Sequence, residues 1–401
     1  MGPSALSAST APGTVAPTQT ISGTLFDSAG SPITSGRTVK LLQNGTSFGT
    51  TTTNGSGSYG FTGVTLASGD KIVVYISGAG EKGATVTLSG TADITNLNIR
   101  QNSLIVRTDN GGSITNANLK EGEGGSPDAD LTAVRMVDGT NVLTLPAGFN
   151  LQIWSGSTYA PGADIHDAGN WTNNGAFAPA THTVTFDGNS NQTINGSSST
   201  TFYALTISNT GTSPANHVTL DGSAGATNTV VSLLNINTGV FDQGTASASS
   251  DLEVNGSTFG TCIFVQPGGQ WINTGWRDVT LFCDVSNQGT IEFNSNGTAC
   301  GQPDDILVRS NVIGIQRTWA GPGTFSMTDV NVRDQRVPGG LSLPQEILVN
   351  SGTNAGNNTG WIFLVAATPT RGLAPLVRIG LIPTIGRLFG IPPTTPLPAM
   401  C

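Results

Sequence analysis

The stretch GNWTNNGAF, residues 169–177, runs straight into APATHTVTFDGNSNQTINGSSSTTFYALTIS, residues 178–208. Asn, Thr, Gly and Ser dominate it, yet apolar side chains return at Val184, Phe186, Ile194, Phe202, Leu205 and Ile207. A flexible linker has no such recurrence. Val184 and Phe186, then Leu205 and Ile207, alternate with polar residues at the two-residue period of a strand with one face in a core. Gly and Asn close each run, as turn residues do. The stretch reads as short strands joined by tight corners.

The whole chain has the same character. Of 401 residues, 10% are charged, against about 25% in ordinary soluble proteins, and 54 are glycine. A disordered chain of this polarity usually carries high net charge, and here it is only -9. Order in such a chain must come largely from backbone hydrogen bonds, which points to an all-β fold. With 16 Lys+Arg against 25 Asp+Glu, there is no cluster of cations for a phosphate backbone, so nucleic acid is excluded as a partner. No run of 18 apolar residues is present, so no ordinary transmembrane helix is predicted. The start, MGPSALSASTAPGTVAPTQT, lacks the basic and apolar regions of a secretory leader.

Four blocks follow along the chain. Residues 1–19 are an extended N-terminal tail. Over 20–85, the β-rich runs Ile21–Phe26, Thr38–Gln43, Ser58–Phe61 and Lys71–Ile76 alternate with Gly, Pro and Asn turns, the signature of a β-sandwich. Over 86–365, runs of four to seven residues such as NSLIVRTD, FNLQIWSG, HVTLDG, GTIEFNS and DILVRSN recur, with connections too short for helical crossovers and no 3.6-residue pattern. The expectation is a right-handed parallel β-helix, a solenoid of roughly 20–25 residues per coil, with amides and hydroxyls stacked at its corners. A string of small sandwiches is the competing architecture. Residues 366–401 are apolar but hold Pro369, Pro375, Pro383, Pro392, Pro393, Pro396 and Pro398, which forbid a long helix. Leu376, Ile379, Leu381, Ile385, Leu388 and Phe389 are its assembly candidates, either as a strap over the solenoid or as a segment donated to a neighbour.

Two resemblances attach to these blocks. SGTLFDSAGSPI, VKLLQNG and NGSGSYGFTGV resemble the transthyretin-like, carboxypeptidase-regulatory-like modules of bacterial surface proteins. That resemblance implies a spacer or weakly binding β-sandwich with Tyr59 or Phe61 in its core. The pattern beginning at Gly169, its cognates GGQWINTGW and RTWAGPGTF, and the ending VNSGTNAGNNTGWIF are similar to repeats of secreted β-helical surface proteins of bacteria. This implies architecture and an extracellular or cell-surface location more than an activity.

The search for chemistry yields little. Asp128 and Asp130, with Glu121 and Glu123 nearby, are the calcium candidates, though Asp after Pro is also an ordinary turn residue. Asp164, His166 and Asp167, and the pair Asp304 and Asp305, are the other acid and base candidates; His182 and His217 sit in strand patterns. No GxSxG, HExxH or phosphate-binding loop occurs, so no catalytic residue and no cofactor are assigned. Cys262, Cys283 and Cys300 lie close enough for adjacent coils to join two of them in an oxidising compartment, the alternative being buried thiols. Trp154, Tyr159, Trp171, Trp271, Trp276, Trp319 and Trp361 read either as inward packing or as an exposed sugar-stacking line for cell-surface glycans. Asn-x-Ser/Thr sequons are frequent, as chance allows in this composition.

The expected function is therefore that of a non-enzymatic extracellular structural protein. It would belong to a surface layer, filament or adhesin stalk and self-assemble as a homo-oligomer through its termini. A polysaccharide-binding or polysaccharide-degrading β-helix is the first alternative, and a viral tail fibre or spike the second.

Overall fold

Among the described residues 52% are in strands and 4% in helices, so the protein is all-β, with large multi-stranded sheets and, among those residues, no closed barrel. The computed structural model describes residues 17–34, 36–125, 127–221, 227–244, 251–256, 260–275, 277–295, 305–339 and 346–364. The chain divides into two compact units, Met1–Val218 and Thr219–Cys401.

The first unit begins with a three-stranded sheet and with the first strands of the large one. Gln19–Phe26 pairs antiparallel with Ser58–Val64 and, at its far end, parallel with Ile99–Arg100. Thr38–Gln43 lies between Thr46–Thr52 and Lys71–Ser77, antiparallel to both. The turn at Asn44 and Gly45, both at positive φ, closes the first of these hairpins, as Asn-Gly does by its tolerance of left-handed backbone. Ile21, Leu25, Val39, Leu41, Tyr59, Phe61, Ile72 and Val74 form one core, joined by Ile94, Leu97 and Ile99 from beyond residue 85. Both Tyr59 and Phe61 are in it, with ring centroids 6.1 Å apart. Gln19, at the end of the expected tail, is already buried strand, its Oε1 accepting the Leu66 N–H at 2.9 Å.

Pairing then changes sense. Ala84–Leu88 is antiparallel to Lys71–Ser77 but parallel to Ser103–Thr108. From there the chain visits three parallel ladders in turn. One ladder runs through Ser103–Thr108, Asn150–Ile153, Trp171–Asn173 and Gln192–Asn195. A second holds Leu143–Leu145, Ile165–Asp167, Thr183–Phe186 and Thr201–Ser208. The third stacks Ser113–Ile114, Thr158–Tyr159 and Ala176–Phe177. Because the register is parallel, like sits on like: Leu104, Leu151, Trp171 and Ile194 form one buried column, and Leu143, Ile165, Val184 and Leu205 another. Twenty residues separate Leu151 from Trp171, and 23 separate Trp171 from Ile194.

The second unit repeats the arrangement. Asn228–Asp242 bends through three segments, which pair in order with Leu252–Val254 and with two portions of Thr261–Asn273. Each of these starts a parallel ladder, continued by Val279–Leu281, by Asp284–Asn287 and by Thr290–Asn294. Trp271 and Trp319 stack in parallel planes at 6.4 Å, Phe293 sits edge-on to both, and Trp361 meets Trp319 at 90°. Such aromatic pairs add about 0.5–1.5 kcal/mol each beyond their burial. The indoles of Trp271 and Trp319 donate to Gln243 Oε1 at 2.9 Å and Gln335 Oε1 at 2.7 Å.

Two short helices, Asn116–Glu123 and Ala129–Thr132, interrupt the first unit where strands alone were expected. Thr115 and Asn118 cap the first reciprocally: Thr115 Oγ1 accepts the Asn118 N–H at 3.1 Å and Asn118 Oδ1 accepts the Thr115 N–H at 3.0 Å. Gly124, at φ 76°, ends it. Among the described residues no helix is long and apolar enough to cross a membrane.

Candidate functional site

The stretch GNWTNNG is a strand between two identical corners. Asp167 Oδ1 accepts the Gly169 N–H at 2.9 Å, and Asn173 Oδ1 accepts the Gly175 N–H at 3.1 Å. The same Asx-x-Gly bond closes Asn110–Gly112, Asn209–Gly211, Asp242–Gly244, Asn287–Gly289 and Asn354–Gly356, at 2.8–3.0 Å. Asn and Asp suit the role because the short side chain reaches its own backbone two residues on. Glycine is required for a different reason: a Cβ on Gly169 would lie 1.7 Å from Phe149 O, and one on Gly175 2.4 Å from Trp154 O. The corner passes directly against the preceding strand's backbone.

Between the corners Trp171 points inward, fully buried, with Phe177, Phe186 and Phe202 at 4.7, 6.4 and 5.6 Å. Outward-facing side chains form ladders of their own. Gln152 stands in register with Ile105 on one side and Thr172 on the other, and Thr172 with Asn195, to which its hydroxyl donates at 2.7 Å. Beside them the Asn170 N–H donates to Asn150 Oδ1 at 3.0 Å, and the Thr193 N–H to Asn170 Oδ1 at 2.7 Å.

Over this outer face lie two adjoining depressions of about 280 and 100 Å³, sharing Arg100 and Gln152. The larger has apolar walls in Phe26, Ile105 and Trp154, with Asn98, Gln152 and Arg100 as its polar groups. The smaller runs over Ser103, Asn150, Asn170, Thr172 and Asn195. Arg100 sits opposite Phe26 in the parallel pair Leu25–Ile99 and Phe26–Arg100, and its guanidinium passes over Gly30, where a Cβ would stand 2.6 Å from Nη2. Trp154 follows the strand Asn150–Ile153, its N–H donating to Val106 O at 3.0 Å.

The expected site residues are placed as follows. Asp128 Oδ2 accepts from Lys40 Nζ and from the Tyr75 hydroxyl, both at 2.9 Å, and Asp130 pairs with Lys82 and accepts the Gly78 N–H at 2.7 Å. Glu121 pairs with Lys71 at 2.8 Å, and Glu123 with the buried Arg135 at 2.7 Å. Each of the four carboxylates meets a cation: Asp128 and Glu121 tie the helical segment to the strands Thr38–Gln43 and Lys71–Ser77, Asp130 ties it to Lys82, and Glu123 pairs within the segment, with Arg135. The Lys40 ammonium holds Asp128 below the usual carboxylate range, whereas burial pushes Glu123 up. Among the described residues no group of three or more His, Cys, Asp or Glu is placed to hold a metal.

Asp164, His166 and Asp167 do not converge. His166 Nδ1 is 2.7 Å from Asp187 Oδ2, and His182 Nδ1 is 3.7 Å from Asp164 Oδ1. Asp167 faces the core between Leu145 and Phe186, where burial pushes its carboxyl up to about 8. Asp305 is buried, and Asp304 lies outside the described residues. Cys262 and Cys283 form a disulfide, Cα–Cα 5.8 Å, beside the register pairs Thr261–Asp284 and Ile263–Val285. Cys300, Trp276 and the six assembly candidates Leu376, Ile379, Leu381, Ile385, Leu388 and Phe389 lie outside the described residues. Tyr159, Trp171, Trp271, Trp319 and Trp361 are buried, leaving Trp154 half-exposed.

Arg100, Gln152 and Asn98 escaped sequence reasoning because strand pairing alone brings them together; the one legible signal was Trp154 at the end of a strand pattern. No protein-family model matches the chain, and no curated protein is similar to it.

Proposed function

We propose that the chain is a secreted or cell-surface structural protein, in which a transthyretin-like β-sandwich precedes a right-handed parallel β-helix. Its task is mechanical rather than enzymatic. The observation that carries this reading is the threefold parallel ladder in each unit, with buried columns such as Leu104–Leu151–Trp171–Ile194 and Val279–Val308–Val332. A backbone bonded to the strands before and after it resists local opening, because no interior strand can leave without breaking its pairing with two neighbours. The Cys262–Cys283 disulfide supports an oxidising compartment, and the sparse charge suits a surface that limits nonspecific attraction.

Self-assembly through the termini completes the proposal, as subunits of a filament or layer or as an adhesin stalk. Negative-stain electron microscopy of the full chain and of a chain ending at residue 365 tests it. Filaments or sheets formed by the full chain and lost on truncation are the expected result. Separate particles from both would end the assembly reading.

A further inference from the structure

Arg100 is singular in the first unit. Among the described residues there, every other lysine or arginine donates to a carboxylate or a backbone carbonyl: Arg37 to Glu81, Lys40 to Asp128, Lys71 to Glu121, Lys82 to Asp130, Arg107 to Asp109, Lys120 to Asp138 O and Arg135 to Glu123. Arg100 has no such partner, and no carboxylate lines either depression that it borders. In a chain of net charge -9, a half-buried guanidinium bordered by amides, hydroxyls and the apolar walls of Phe26, Ile105 and Trp154 is a site with one charge left to be met.

The surroundings specify the class of ligand. The half-exposed ring of Trp154 presents an apolar wall of the kind on which the C–H face of a pyranose packs. The guanidinium offers a planar fork that matches a carboxylate bidentately. From there Gln152 and Asn150, on one strand, and Asn170, at the start of the next strand about 4.8 Å away, continue the polar surface. Thr172 and Asn195 extend the polar surface on the same face. A row of amides at that repeat suits the successive hydroxyls of an extended chain of sugars. A single cation is too few for a phosphodiester polymer, which is held by clustered cations.

We propose that this groove binds an acidic saccharide, with a uronate carboxylate on Arg100, the ring of that sugar against Trp154, and neighbouring sugars over Gln152 and the Asn150–Asn170 ladder. Binding here is independent of whether the chain polymerises. The uncharged sugars of an otherwise similar polymer leave the guanidinium unpaired and bind more weakly.

The test uses the full chain with hyaluronan and mannuronan hexasaccharides as acidic probes and chitohexaose as the neutral one, followed by titration calorimetry and by indole fluorescence. The expected result is that at least one uronate hexasaccharide binds ten times more tightly than chitohexaose or better. In that case Arg100→Ala removes the preference and Arg100→Lys restores part of it, while Trp154→Ala weakens all sugars and abolishes the fluorescence change. Arg100 has no hydrogen-bonded partner to lose, so Arg100→Ala loses only the packing of its stem and stays folded, as a cooperative melting transition would show. The proposal is overturned if neither uronate binds at millimolar concentration, if chitohexaose binds as well as they do, or if the folded Arg100→Ala protein binds them as the parent does.

Discussion

Asp167 occupies a position that asparagine fills at most other corners of this protein. Its Oδ1 takes the Gly169 N–H as Asn173 takes that of Gly175, but its second oxygen is buried without a hydrogen-bond partner. Burial is the main cause of its raised pKa of about 8; Asp187 adds to the effect and the Gly169 N–H opposes it. A carboxyl protonated in the folded state up to about pH 8, and ionised above roughly pH 4 when unfolded, stabilises the fold fully below pH 4. That contribution declines as pH rises through the folded value. The unfolding free energy of the parent protein, from denaturant titrations, should therefore fall between pH 5 and 8, by at most about 1.4 kcal/mol per pH unit. Asp167→Asn keeps the acceptor for Gly169 and should flatten that profile; an unchanged slope in the variant would assign the pH dependence elsewhere.

Elements are held by charge in one place and by a covalent bond in another. The helix Asn116–Glu123 brings Glu123 to Arg135, both buried, and Arg135 Nη2 also donates to Leu119 O at 2.9 Å. Removing the carboxylate leaves a buried cation unpaired, so Glu123→Ala should cost about 3–5 kcal/mol in urea unfolding, whereas exposed Glu121→Ala should cost less than about 1 kcal/mol. Between the strands Thr261–Asn273 and Asp284–Asn287, the disulfide closes a loop of sequence separation 21. The variant Cys262→Ser with Cys283→Ser should lose about 3 kcal/mol, read by the same method. These short elements explain part of what the sequence hid. An eight-residue helix leaves too little periodicity to register, although the Thr115–Asn118 capping pair and Gly124 mark its ends. The hairpin at Asn44–Gly45 carried a plain turn signal that the strand pattern alone did not use.

At the scale of each whole unit, alternation made the strands legible: Val184 and Phe186, or Ile263 and Val265, show their buried faces without coordinates. Partners were not legible in the same way. Parallel register depends on connection lengths, which differ widely, as between the 14 residues from Ile347 to Trp361 and the interval from Leu104 to Leu151 that contains both helices. The groove was hidden for the same reason, since Phe26, Arg100, Gln152 and Trp154 meet only once that register is set. Register is accordingly the central claim, and a cysteine pair tests it most directly. Thr172 and Asn195 face each other on adjacent outward positions, side chains touching at 2.7 Å, while Thr193 lies two residues back on the same face. In a Cys300→Ser, Cys401→Ser background, Thr172→Cys with Asn195→Cys should cross-link under mild oxidation, detected by peptide mass spectrometry. Thr172→Cys with Thr193→Cys should not. Cross-linking of the offset pair in preference to the paired one would contradict the parallel ladders on which the structural role and the groove both depend.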